Sequence, residues 1–147
     1  MASAEKFWTG PEGRPALSTL RGAVGAVGAT HGLDLIVLFG SRAAGRAHAD
    51  SDVDLAVAAP APLDFRRLLD VTTELQEIFG GLRADVADLR RADPLFLRKI
   101  FESGLCLFER PGRFEGARLA ALHRYEDYRP FLRVERDCVR RALGLPR

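Results

Sequence analysis

Two short apolar runs constrain this chain most: LDLIVLF at residues 33–39 and VDLAVAA at 53–59. Gly32 and Gly40 bracket the first, and Pro60 and Pro62 end the second. Runs of this length, rich in branched side chains and bounded by turn formers, read as strands buried in a sheet. The segment between them is not an ordinary hairpin loop. It opens with Gly40-Ser41, runs through small and polar residues, and ends with two aspartates, Asp52 and Asp54, at the head of the second strand.

The rest of the chain supplies partners for those strands. Residues 15–33 carry Leu17, Leu20, Val24 and Val27 at spacings of three and four, which predicts a helix despite its glycines, with Gly32 as its stop. Apolar residues from Phe65 to Phe79 predict an amphipathic helix over 64–79, closed by Gly80-Gly81. RADVADL at 83–89 reads as a third strand. Pro94 then opens a helix reaching about Ser103, LCLFE gives a fourth strand, and the tail from Arg113 reads as helix, interrupted by Pro130 and ending near Leu143. This alternation predicts an α/β (or α+β) domain, a small sheet flanked by helices. The expected organisation is a loose lead-in over 1–14, a core over 15–110, and a helical extension of the same domain over 111–147.

Composition narrows the class. With 147 residues, one core is expected. Hydrophobic residues make up 47% and charged residues 29%, an ordinary globular mixture with no apolar run near the ~18 residues of a membrane helix. The start, MASAEKFWTG, lacks the pattern of a secretory leader, so a cytoplasmic location is expected. Cys106 and Cys138 do not make a disulfide framework there, and Cys106, inside an apolar run, reads as a core thiol. His31, His48 and His123 stand at no zinc-ligand spacing from either cysteine. A net charge of +2 does not by itself indicate nucleic-acid binding. Only Lys6 and Lys99 among the 22 basic residues are lysines. That bias suits bidentate oxyanion recognition, and genomic codon preference explains it equally well.

The opening segment has a chemistry of its own. Strand alternation places Asp52 and Asp54 on one face, about 7 Å apart at ~3.3 Å per residue, with Val53, Leu55 and Val57 turned to the core. Two carboxylates projecting together repel, and a hard divalent cation is their natural counter-charge. Oxygen-only ligands favour Mg²⁺ or Mn²⁺ over zinc. Gly40-Ser41 after a buried strand offers backbone amides and a hydroxyl to phosphate oxygens, and Arg42 offers a charged fork. A phosphate cradle beside a metal clamp is equipment for metal-assisted nucleotidyl transfer.

Gly40-Ser41, ten residues, then Asp52-Val53-Asp54 resembles the G-S-x10-D-x-D signature of minimal nucleotidyltransferases in the DNA polymerase β-like superfamily. The likeness covers roughly residues 33–110 and includes ADVADLRRADPLFLRKIFESGLCLFE. It implies a polymerase β-like fold, ATP as substrate, and two Mg²⁺ ions on Asp52, Asp54 and a third aspartate. It also implies that Gly40 and Ser41 hold the β- and γ-phosphates. Asp85 and Asp88 are the candidates for the third carboxylate. Alternation sends them to opposite faces, the family position matches Asp85, and Asp88 reads as a cap or a solvated residue. Ala44 departs from the family, which often has arginine there, so Arg42 or Arg46 is expected to supply that phosphate contact. His48 and Asp50 read as solvated loop residues.

Minimal nucleotidyltransferases commonly act as antitoxins that transfer AMP from ATP to a tyrosine of a HEPN-type toxin, and the tail RLAALHRYEDYRPFLRVERDCVRRAL resembles their C-terminal helices. The resemblance therefore implies a protein acceptor and a HEPN-type partner, with neither membrane nor specific nucleic acid. Two other readings stay open: a small-molecule acceptor such as an aminoglycoside, and a non-catalytic antitoxin that acts by contact. Arg118, His123 and Tyr125 spell R-x4-H-x-Y, the pattern of a HEPN ribonuclease site. Too little chain follows the last strand to build the helical bundle such a site needs.

Overall fold

The computed structural model describes residues 17–48 and 50–146. The expected lead-in over 1–14 lies outside them. In chain order the elements are α1 (Leu17–Thr30), β1 (Leu35–Phe39), α2 (Gly40–Ala43), β2 (Val53–Ala58), α3 (Phe65–Ile78), β3 (Ala84–Asp88), α4 (Pro94–Ser103), β4 (Leu105–Glu109) and α5 (Arg113–Ala142). The four strands form one mixed sheet in the order β3-β2-β1-β4. β1 runs antiparallel to both β2 and β4, while β2 and β3 are parallel, joined through α3.

Local chemistry explains the helix starts. Asp64 caps α3 by accepting from the Arg67 amide at 2.8 Å. Asp93 does the same for α4 through the Phe96 amide at 2.9 Å, with Pro94 at the first helical position, where its missing N–H costs nothing. Gly32 follows α1 with φ of 61°, the left-handed stop expected of it.

Alternation divides the core into two layers. Ile36 and Leu38 of β1, with Val53, Leu55 and Val57 of β2, meet Leu20 and Val24 of α1 and Val71 and Leu75 of α3. Leu35, Val37 and Phe39, with Ala56, face Leu97 and Ile100 of α4 and Ala121 of α5. Asp54 therefore shares the α4/α5 face of the sheet with Ala56. Cys106 is half-buried and its thiol is pushed up to about 11, chiefly by burial and then by Glu109, while Cys138 is an exposed free thiol.

One expectation is corrected. α5 is not interrupted at Pro130 but runs unbroken for 30 residues with Pro130 inside it. Proline removes one backbone donor and crowds the carbonyl four residues back, that of Glu126, and Glu126 is exposed, so water can reach the carbonyl left without its usual donor. Among the described residues no helix is long and apolar enough to cross a membrane.

Candidate active site

The site forms where the C-terminal end of β1 meets the N-terminal ends of β2 and β3. In the β1–β2 register Phe39 stands opposite Asp54, so Gly40 follows immediately beside that carboxylate. In the parallel β2–β3 register Asp54 stands beside Asp85. Neighbouring residues in register share a sheet face, so these two carboxylates project together, with Asp52 two positions ahead of Asp54. Asp52 and Asp85 are exposed and Asp54 is half-buried.

The electrostatics follow from that register. The Asp54 carboxyl is raised above the 3.8 of an isolated side chain, first by burial, then by the charges of Asp85 and Asp52, with Lys99 and Arg42 opposing. Three like charges thus act on one another at one sheet end. Among the described residues, no three Asp, Glu, His or Cys side chains are drawn in as a ready metal cage. The donor set is nonetheless all oxygen and mutually repulsive, with one member tending to hold its proton. It fits a hard divalent cation, whose charge would offset that repulsion.

Gly40 is required twice over. Its φ is 72°, the left-handed region that β-carbons resist, and a Cβ there would run into Oδ2 of Asp54. The turn of α2 then folds back on itself, Ala44 N–H to Gly40 O at 3.1 Å and Arg46 N–H to Ser41 O at 2.9 Å. No side chain caps this turn, since Phe39 occupies the N-cap position.

Arg42 corrects a sequence expectation. It was expected as a phosphate fork, yet it is fully buried, and its guanidinium reaches back to the loop before β2. Its Nε donates to Ser51 O at 3.0 Å and Asp52 O at 3.3 Å, and its Nη2 also donates to Ser51 O. Arg42 is a positioning residue: it ties the Gly-Ser turn to the backbone that carries Asp52. Arg46 is exposed on the following loop, as are His48 and Asp50.

Asp85 and Asp88 separate as alternation predicts. Asp88 is buried; its Oδ2 accepts from Leu63 N–H at 3.1 Å and its Oδ1 from Arg90 N–H at 2.9 Å. It is a structural cap, tied to the chain rather than to the site.

Sequence reasoning missed Lys99. It lies on α4, exposed, and its charge is felt at Asp54. Phe96, one turn earlier, sets its ring edge-on against Phe39 at 5.5 Å between centroids, which holds this face of α4 at the end of β1. The available signal was the i, i+3 spacing of Phe96 and Lys99, which puts both on one helix face.

The polymerase β nucleotidyltransferase family profile matches residues 28–113, and the chain belongs to that family. It is a nucleotidyltransferase. Its fold recurs in toxin–antitoxin structures. A chain of a toxin–antitoxin complex with AMP-PNP shares 24% identity at a TM-score of 0.71, covering 81% of this chain and 97% of that one. A chain from a tri-AMPylated Shewanella oneidensis HEPN toxin in complex with its MNT antitoxin shares 21% at a TM-score of 0.68, with 84% and 98% covered. A chain described as a minimal nucleotidyltransferase shares 30% at a TM-score of 0.53, covering 60% of this chain and 93% of that one. No curated protein matches the sequence.

Proposed function

We propose that this chain is the antitoxin of a toxin–antitoxin pair, transferring AMP from ATP to a tyrosine hydroxyl of a HEPN-type partner in the cytoplasm. The observation that carries it is the register of Asp54 beside Asp85, with Asp52 two residues ahead and Gly40 against the Asp54 carboxylate. The likeness to chains of AMP-PNP-bound and AMPylated toxin–antitoxin complexes supports the choice of nucleotide and partner.

In this reading the acceptor oxygen bonds to the α-phosphorus of ATP while the bond to the bridging oxygen breaks, releasing pyrophosphate. Asp85, exposed at the sheet edge, takes the hydroxyl proton. The amides and hydroxyl of Gly40-Ser41 hold the β- and γ-phosphates, and Lys99 takes the cationic role that buried Arg42 does not fill. Asp52, Asp54 and Asp85 would hold Mg²⁺, which when bound offsets negative charge on the phosphates and the attacking oxygen. A phenol of pKa ~10 gives up its proton more readily than an aliphatic hydroxyl.

Intact-mass spectrometry of the chain incubated with Mg-ATP and the product of the adjacent gene tests the proposal. AMP-sized additions on the partner, absent with Asp54→Asn, are expected. An unmodified partner whose toxicity the Asp54→Asn variant still neutralises would establish a contact-only antitoxin instead.

A further inference from the structure

The first half of α5 is held by the body of the protein. Ala117 and Ala121 pack on the sheet layer, the Phe114 and Phe101 rings meet at 5.6 Å, Arg98 lies 4.2 Å over the Tyr125 ring, and Arg124 donates to Ala92 O at 3.4 Å. The face that begins with Ala121 continues through Tyr125, Tyr128 and Leu132, all half-buried. From Arg133 to the end of the described chain every residue is exposed. About 15 Å of helix, ten residues at ~1.5 Å each, therefore extends with nothing among the described residues packed on it.

That free segment has an ordered surface. Leu132 and Val139, one heptad apart, lie along a groove of about 630 Å³, with Arg129, Arg133, Arg136 and Arg140 along one flank and Glu135 on the other. Between residues 129 and 142 five arginines face two acidic residues, Glu135 and Asp137. An isolated helix of this length is marginal in water, and Pro130 weakens it further. An apolar seam with charged rims is the pattern by which one helix receives another, the rims choosing the partner.

We propose that this groove on α5 docks an acidic amphipathic helix of the partner protein, apolar residues on Leu132 and Val139 and carboxylates on the flanking arginines. The inference rests on the partner-modifying reading above. A second copy of this chain would offer these four arginines a single carboxylate, Glu135. A nucleic-acid backbone would gain nothing from the Leu132–Val139 seam and would meet Glu135 in the same groove.

The test compares wild type with the triple variant Arg133→Glu, Arg136→Glu, Arg140→Glu and its counterpart with lysine at all three positions. These side chains are exposed, and helicity by circular dichroism together with unchanged ATP affinity checks the fold. The adjacent-gene product binds the glutamate variant roughly tenfold or more weakly and the lysine variant nearly as wild type does. Wild-type partner affinity in the glutamate variant overturns the docking site while leaving the proposed activity standing. A wild-type chain that neither binds nor modifies the partner removes both proposals. Unchanged partner affinity in the glutamate variant, with loss of a wild-type dimer in sedimentation, reassigns the groove to a second copy. Unchanged partner affinity with lost binding to a 20-nucleotide single-stranded RNA reassigns it to nucleic acid.

Discussion

Gly40→Ala is a one-methyl test of how the Gly-Ser turn and the acidic strand fit together. At φ of 72° an alanine carries the left-handed penalty, about 1–2 kcal/mol. Its Cβ also meets Oδ2 of Asp54, and turning that carboxylate some 30° off its rotamer adds about 0.5–1.5 kcal/mol. A loss of roughly 1.5–3.5 kcal/mol follows if the two add, lowering Tm by about 3–14 °C at ~2–4 °C per kcal/mol for a chain of this size. Turnover falls further than stability, since a shift of ~1 Å in a reacting group can cost ~10²-fold. Thermal denaturation and single-turnover AMP transfer measure the two effects. The decisive arm repeats Gly40→Ala in an Asp54→Ala background. There the carboxylate is gone, and only the backbone penalty of about 1–2 kcal/mol remains. Equal destabilisation in both backgrounds would refute the contact, and a Gly40→Ala enzyme of normal stability and turnover would refute the whole argument.

Four further outcomes are expected. Because the Asp54 carboxyl is raised above 3.8, the folded state keeps that proton after the unfolded state has lost it. Stability in EDTA therefore falls as pH rises through that interval, and Asp54→Asn has the higher Tm above it, converging with wild type below pH 3.8. Asp85→Asn abolishes transfer with Tm no lower than wild type, since it relieves repulsion at Asp54, whereas Asp88→Asn loses about 1–3 kcal/mol, because an amide NH₂ must face one of the two backbone donors that Asp88 now accepts; matching Tm values for the two would count against the register. Lys99→Ala raises the KM for ATP by roughly tenfold or more with a smaller change in kcat, and Lys99→Arg recovers most of it; an unaltered KM removes Lys99 from the phosphate site. At pH 8 a maleimide labels Cys138 within minutes while Cys106, held near 11, stays unlabelled until the chain unfolds.

What was legible in the sequence is what periodicity and turn residues encode directly. The strand pair around Gly40 and Asp54 could be read because alternation assigns Val53, Leu55 and Val57 to one face of β2 and the aspartates to the other, whatever packs above. Parity put Asp85 and Asp88 on opposite faces, the family resemblance pointed to Asp85, and the parallel register sets Asp85 beside Asp54. The glycines of α1 looked like a weakness. Yet a Cβ at Gly28 would run into the Phe108 ring of β4, so the low propensity there is the condition for close helix–strand packing. That contact joins residues 80 positions apart, and no local pattern carries it.

The Arg42 error has a physical cause. Arg42 was read by side-chain type, as a cation beside a phosphate turn, but the position is deep enough that its guanidinium is fully enclosed. A buried arginine must place its donors on nearby acceptors, and the carbonyls of Ser51 and Asp52 accept from it. The same residue type therefore fixes the aspartate loop. Removing Arg42 would loosen Asp52 indirectly, while Lys99, exposed on a different helix, lends its charge to Asp54. Depth in the fold, which sequence spacing does not report, separated the two basic residues.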